Sequence, residues 1–379
     1  MRFVSGLIAS TLLVWGLYRL RTTISPAAWT WATIAALTPM TLFMGAMVNP
    51  QALEISSAFA FWAACLALTR SAARPTRGTV VQAAVTGAML VNTRTSGPFW
   101  ALTIAIVSLV LAPTGRLRVL WRLSSVRWAL GVAVAAGAAA VAWVTSHGAV
   151  IAPSQSFPQY SSPLKVTWVV LADTYGYLLQ MIGNYGWLDA PSPALTVLVW
   201  SVLVGTLLVV AVAAASSFRV RIALLLSVLS VLVWPIALQI PTAVDAGIIW
   251  QGRYALPAAV GVPMVAAIAL TSAAWPLDEL VRRIVRWAVV PSAAIAHAAA
   301  FLWATRRYSV GLEGQLITRS PDWSSPLGYL TAVALYAVPV TAIALVGWYA
   351  LRPRRMTSID RVAVHGQVDE QVAVPALRP

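Results

Sequence analysis

The sequence predicts an all-α, polytopic integral membrane protein. Hydrophobic residues make up 60% of the 379 positions, and charged residues only 10%. Apolar runs close to the roughly 20 residues that a helix needs to cross a bilayer core recur along almost the whole chain. Those runs also lack the regular polar face of a soluble amphipathic helix.

Eleven spans are expected in order. The first, 3–18, ends at Arg19 and Arg21. The second, 29–47, leads to Asn49 and Pro50, which suit the N-cap and first helical position of the third, 52–69. Spans 78–91 and 97–112 are joined by a short polar link containing Arg94. Span 128–145 follows a basic stretch, and 194–215, 222–240, 254–272, 287–304 and 326–350 complete the set. The segment 168–188 has a span's length but carries Asp173, Asn184 and several tyrosines.

Charge separates the options for 168–188. As an interfacial helix, it leaves the clusters at Arg19/21, Arg70/74/77, Arg116/118/122/127, Arg219/221, Arg282/283/286 and Arg352/354/355 on one side. With Arg361 and Arg378 that side holds 19 of the 26 basic residues, and the positive-inside rule makes it cytoplasmic. Counting the segment as a span would scatter them. It is therefore expected to lie flat on the outer surface, its aromatic residues in the headgroup layer. The tryptophans near span ends fit an aromatic belt.

The expected domains are a transmembrane part, 1–352, and a cytoplasmic, disordered tail, 353–379. The first run precedes its arginines, the reverse of a signal peptide, so the N-terminus is expected outside. All basic residues but Lys165 are arginines and alanine is abundant, suggesting a GC-rich bacterial genome and a bacterial cytoplasmic membrane.

The net charge of +15 does not indicate nucleic acid, because the arginines are spread between apolar runs. Cys65 is the single cysteine, which excludes an intrachain disulfide. His147, His297 and His365 are far apart, so no His/Cys metal site is expected. No cofactor is indicated with certainty; a divalent metal stays open, although no residue pattern supports one. No Walker A or GxGxxG motif offers a nucleotide cradle. Glycines in "GVAVAAGAAA", 131–140, are expected to pack helices closely. Asp278 and Glu279 are expected to pair with Arg282 and Arg283 along a solvated helix face.

The candidate site residues fall on the outer side. Glu54 lies about 7.5 Å into its helix, where an ionisable group should face the bundle interior. It is either a functional carboxylate or the partner of a nearby arginine. Arg94, in "NTRTSGPFW", opposes the topogenic preference; its guanidinium suits a phosphate or snorkels to headgroups. Arg253, in "QGRYALP", stands at a helix start with Gln251 and Tyr254, as an anion site or an anchor. "GNYGWLDAPSP", 183–193, is a lid bearing Trp187 and Asp189, or a turn. Asp173, Asp245, Glu313 and Asp322 read as solvated or paired.

Together, "TPMTLFMGAMVNPQALEISSAFAFWAACL", "NTRTSGPFW", "GNYGWLDAPSP" and "QGRYALPAAVGVP" resemble the DUF2142 family of predicted bacterial membrane proteins, over about residues 2–350. That family resembles in turn the GT-C glycosyltransferases, which use polyprenyl-phosphate sugars at the outer membrane face. The resemblance implies a GT-C-like bundle, with Asn49, Glu54, Arg94, Gln251, Arg253 and Tyr254 as the family-like positions. The acidic first outer loop of such proteins has no counterpart here, which implies a missing N-terminal part.

Three functions follow as expectations. One is a GT-C-like transfer of a sugar from a polyprenyl-phosphate carrier to a cell-envelope glycan, with Glu54 as base and Asn49, Arg94, Gln251, Arg253 and Tyr254 holding the lipid phosphate. Another is transport or flipping of a lipid-linked envelope precursor. The last is a non-catalytic membrane partner in an envelope-assembly complex, whose protein partner the sequence does not name. All three place the chain in a lipid bilayer.

Overall fold

The computed structural model describes residues 1–71, 73–146, 156–273, 278–316 and 320–352. The expected tail, His147 and His365 lie outside the described residues. Helices α1 (Arg2–Arg21), α2 (Pro26–Ala36), α3 (Pro39–Gly45), α4 (Pro50–Arg70), α5 (Arg77–Thr93), α6 (Gly97–Val110), α7 (Arg116–Arg122) and α8 (Ser124–Ser146) form the first part. Then come α9 (Pro163–Ala172), α10 (Thr174–Gly183), a small hairpin of β1 (Asn184–Tyr185) and β2 (Ala190–Pro191), α11 (Ala194–Ala214) and α12 (Phe218–Gln239). The chain continues through α13 (Ala243–Ala246), α14 (Leu256–Ala259), α15 (Gly261–Thr271), α16 (Asp278–Ile284), α17 (Val290–Val310) and α18 (Tyr329–Ala350).

Each of the eleven expected spans falls on helix, and among the described residues eight stretches are long and apolar enough to cross a membrane. The other three are shorter. Helix α6 has 14 residues and α5 has 17, the lower limit for spanning. The run 29–47 is broken, because Thr38 precedes Pro39 and a residue before proline avoids the helical region. Thr38 then caps α3, its hydroxyl accepting from Thr41 N at 3.1 Å and donating to Met181 O at 2.8 Å. The break therefore ties α3 to α10.

The segment 168–188 differs from its expectation of one helix. It forms the end of α9, all of α10 and most of the hairpin. Asp173 separates α9 from α10, and Gly186 and Leu188 take positive φ values of 65° and 67° to close the turn. Asp278 and Glu279 both pair with Arg282, at 2.8 and 3.2 Å; Arg283 takes no part in these pairs.

Burial identifies the centre of the bundle. In α4, 78% of the spanning window is buried, and in the Gly252–Thr271 stretch 83%, against none in α8 and α18. The glycines of the 131–140 stretch consequently do not pack helices: added Cβ atoms at Gly131 and Gly137 would meet nothing within 4 Å. Close packing occurs at the centre, where Gly261 lies on the ring of Trp62. Nor are the tryptophans all belt residues. Trp31, Trp62, Trp100 and Trp200 are fully buried. Three of these indoles donate inside the bundle: Trp31 to Leu203 O, Trp62 to Pro257 O and Trp100 to Glu54. Such partners matter where the interior offers no water.

The two ends of the bundle differ chemically. At one, Arg70 donates to Leu111 O and Ser272 Oγ, Arg116 to Leu68 O and Ala73 O, and Arg219 to Ala112 O. Arg116 and Arg70 thereby meet carbonyls at the C-terminal ends of α4 and α6, which lack partners within their helices, and Arg70 ties in the end of α15 through the Ser272 hydroxyl. The opposite end gathers the start of α4, the α5–α6 corner, the start of α14 and the hairpin.

Candidate functional site

The site grows from two helix starts and a corner. Asn49 is the N-cap of α4, its Oδ1 accepting from Gln51 N at 2.9 Å, and Pro50 occupies the first turn. That cap fixes where α4 begins and so places Glu54 just beyond its first turn. Gly97 closes the α5–α6 corner: a Cβ there would sit 2.1 Å from Leu90 O. Only glycine lets the two helices turn so tightly, and the turn brings Arg94, Ser96 and Trp100 onto Glu54.

Glu54 has no solvent exposure and is engaged by three donors. Arg94 Nη1 lies 3.3 Å from Oε2; Ser96 Oγ and Trp100 Nε1 donate to Oε1 at 2.6 and 2.9 Å. This is the geometry of a paired, anchoring carboxylate. A general base needs a face open to a substrate proton, and the carboxylate presents none. Ser96 and Trp100 were not anticipated as its partners. The signal available was the spacing in "TRTSGPFW", which puts a hydroxyl and an indole within one turn of a helix start.

Arg94 is held from a second side. Its Cζ stands 4.7 Å from the centroid of Tyr254, within cation–π range. Its side chain keeps 31% exposure, with most of its N–H donors not used by Glu54. Arg253 Cζ is 6.0 Å from the same ring. Two guanidiniums thus share one aromatic platform, against a single carboxylate, leaving an excess of positive charge.

The Gln251–Tyr254 segment is positioned by glutamines that sequence reasoning missed. Gly252 N donates to Gln180 Oε1 at 2.7 Å, and a Cβ at Gly252 would lie 2.0 Å from Tyr177 O. Gln239 Oε1 accepts from Ile249 N and Trp250 N, while its Nε2 donates to Gly247 O. Both glutamines hold irregular backbone by side-chain hydrogen bonds, a need invisible in an apolar run. Beside this braced backbone, Trp250 Nε1, Gln251 Oε1 and Arg253 Nε are buried with no hydrogen-bond partner among the described residues. Unpaired buried polar atoms are costly and call for a role.

Trp187 and Asp189 sit on the hairpin next to α3 and α17. Asp189 Oδ2 accepts from Arg307 Nε at 2.9 Å and from Nη2, and Oδ1 accepts from Trp187 N. The Arg307 contact holds the Asp189 carboxyl below the usual carboxylate range. Trp187 itself is 90% exposed. Behind the turn, Tyr185 OH bonds Ser192 Oγ at 2.7 Å, and its ring lies 5.1 Å from that of Phe43.

The arrangement brings together Glu54, Arg94, Arg253 and Tyr254, with Gln251 alongside and Asn49 acting as the cap. Among the described residues no cluster of His, Cys, Asp and Glu could hold a metal ion. No curated protein and no solved structure matches the chain. The family model of DUF2142, described as a predicted membrane protein, matches residues 1–262, more than half of the chain and all of the cluster just described. The chain belongs to that family.

Proposed function

We propose, from membership in this family of membrane proteins, that the chain binds the phosphate of a lipid-linked substrate at the Arg94–Arg253 end of its bundle. The observation that carries it is Arg94, locked between Glu54 and the Tyr254 ring with most of its donors open and a second arginine adjacent. A braced guanidinium loses little freedom on binding and matches the geometry of a phosphate.

The concrete form of this proposal is a GT-C-like transferase taking sugar from a polyprenyl-phosphate carrier for a cell-envelope glycan. The arginine-rich end then faces the cytoplasm of a bacterium, and the site faces outward. Glu54 serves as the positioning residue of Arg94. The Arg307 contact makes the hairpin with Trp187 and Asp189 a fixed wall in this account.

The closed carboxylate favours a second reading in which the lipid phosphate is held without chemistry, as in a flippase or a partner of an assembly complex. The test uses nanodisc-embedded protein and a polyprenyl phosphate. Arg253→Ala and Arg94→Lys should each weaken binding with the fold intact. Unchanged binding in both removes the proposal. Release of sugar from the polyprenyl-phosphate-linked form separates the transferase from the second reading.

A further inference from the structure

The opposite end of the bundle carries a feature that the lipid-phosphate site does not use. A cleft of about 530 Å³ opens where α6 passes into α7. Leu109, Val110 and Leu117 give it apolar walls, and Arg118 and Arg219 stand in its lining. Arg219 is fixed there, Nη1 donating to Ala112 O at 2.5 Å and Nη2 to Thr114 Oγ1 at 3.1 Å. Arg118 is exposed and engages no hydrogen-bond or ion-pair partner among the described residues.

Two further observations say what fits. Leu102, Ile106 and Leu109 are all exposed, and their spacing lines one face of α6 leading into the cleft. Within α7, exposed Leu117, Val119 and Trp121 alternate with exposed Arg118 and Arg122, the mixture of a segment lying at a membrane interface. The buried Arg116 fixes α7 at that level through Leu68 O and Ala73 O. A cationic rim above an apolar track matches a phosphodiester with acyl chains below it. No acidic side chain lines the cleft to receive the ammonium of a zwitterionic headgroup.

We propose that this cleft is a binding site for an anionic phospholipid, with its phosphate between Arg118 and Arg219 and an acyl chain along Leu109, Ile106 and Leu102. The test is native mass spectrometry of the detergent-solubilised chain titrated with phosphatidylglycerol or phosphatidylcholine. Phosphatidylglycerol adducts should dominate. Arg118→Gln, at an exposed and unpartnered position, should reduce them about fivefold, the effect of one surface cation. Leu117→Trp, which narrows the cleft and leaves the charge, should reduce them as well. Equal retention of the two lipids, or phosphatidylglycerol binding unchanged in both variants, would overturn the proposal. Complete displacement of phosphatidylglycerol by equimolar inorganic phosphate would also overturn it, because the site would then recognise the free anion.

Discussion

Arg94 Nη1 lies 3.3 Å from Glu54 Oε2, and the two residues do not share burial equally: the carboxylate is wholly enclosed, whereas the arginine is about a third exposed. The pair joins the start of α4 to the α5–α6 corner, and the asymmetry decides what each substitution does. Arg94→Ala strands a buried carboxylate and should destabilise by about 3 kcal/mol, the lower end for a broken buried pair because Ser96 and Trp100 still donate. Glu54→Gln keeps an acceptor for those two donors and leaves Arg94 to reach water, so it should cost only about 1–2 kcal/mol. Thermal melting of the purified protein checks the order, and a larger loss in Glu54→Gln would contradict it.

Tyr254 should matter through its ring and not its hydroxyl. Tyr254→Phe should bind a polyprenyl phosphate like the parent chain. Tyr254→Leu should weaken binding by about 1 kcal/mol, the value of a partly exposed cation–π contact. Equal loss in both variants would assign the effect to the hydroxyl.

How much of this was legible in the chain can be judged from particular residues. The apolar runs marked the helices because a bilayer demands length and hydrophobicity, both local properties. The Asn49–Pro50 cap was legible for the same reason. The break at Leu37–Thr38 had its signal in Pro39 but was masked by the apolar residues on both sides. Glu54, Arg94 and Arg253 stood out as charges in apolar surroundings. The pairing of Glu54 with Arg94 and the meeting of both arginines at Tyr254 did not, because they depend on how α4, the α5–α6 corner and α14 pack. The supports Gln180 and Gln239 were hidden too, since neutral amides in apolar runs carry no marker of the irregular backbone they hold. The glycines of α8 misled, because small residues permit close packing without requiring it.

Gly252→Ala should be more damaging than a methyl group usually is. Its Cβ would lie 2.0 Å from the Tyr177 carbonyl oxygen, a backbone atom that cannot turn aside. The expected cost is about 1–3 kcal/mol of overpacking, with loss of lipid-phosphate binding as Arg253 and Tyr254 shift. A variant with parent-like melting and binding would show that the α10 contact does not position the segment.

The hairpin should be held by charge at mildly acidic pH. Arg307 depresses the Asp189 carboxyl below its ordinary value of about 3.9. A depressed folded-state value means the pair contributes in full above that ordinary value, and the contribution is lost as pH falls through the folded one. Hydrogen exchange across residues 184–191 should therefore stay slow at pH 5, once intrinsic rates are allowed for, and Asp189→Asn should raise it there. No difference between the parent and Asp189→Asn would mean that the hairpin is held by Tyr185 and Ser192 alone.

The most direct test of the central claim is the affinity of the full chain in nanodiscs for a short-chain polyprenyl phosphate, compared with Arg253→Ala and Arg94→Lys. Saturable binding that falls about tenfold or more in each variant, with melting temperatures near the parent's, is the predicted result for the loss of a charge-assisted phosphate contact. Binding that is absent in the parent, or identical in all three proteins, would contradict the assignment of this end of the bundle to a lipid phosphate.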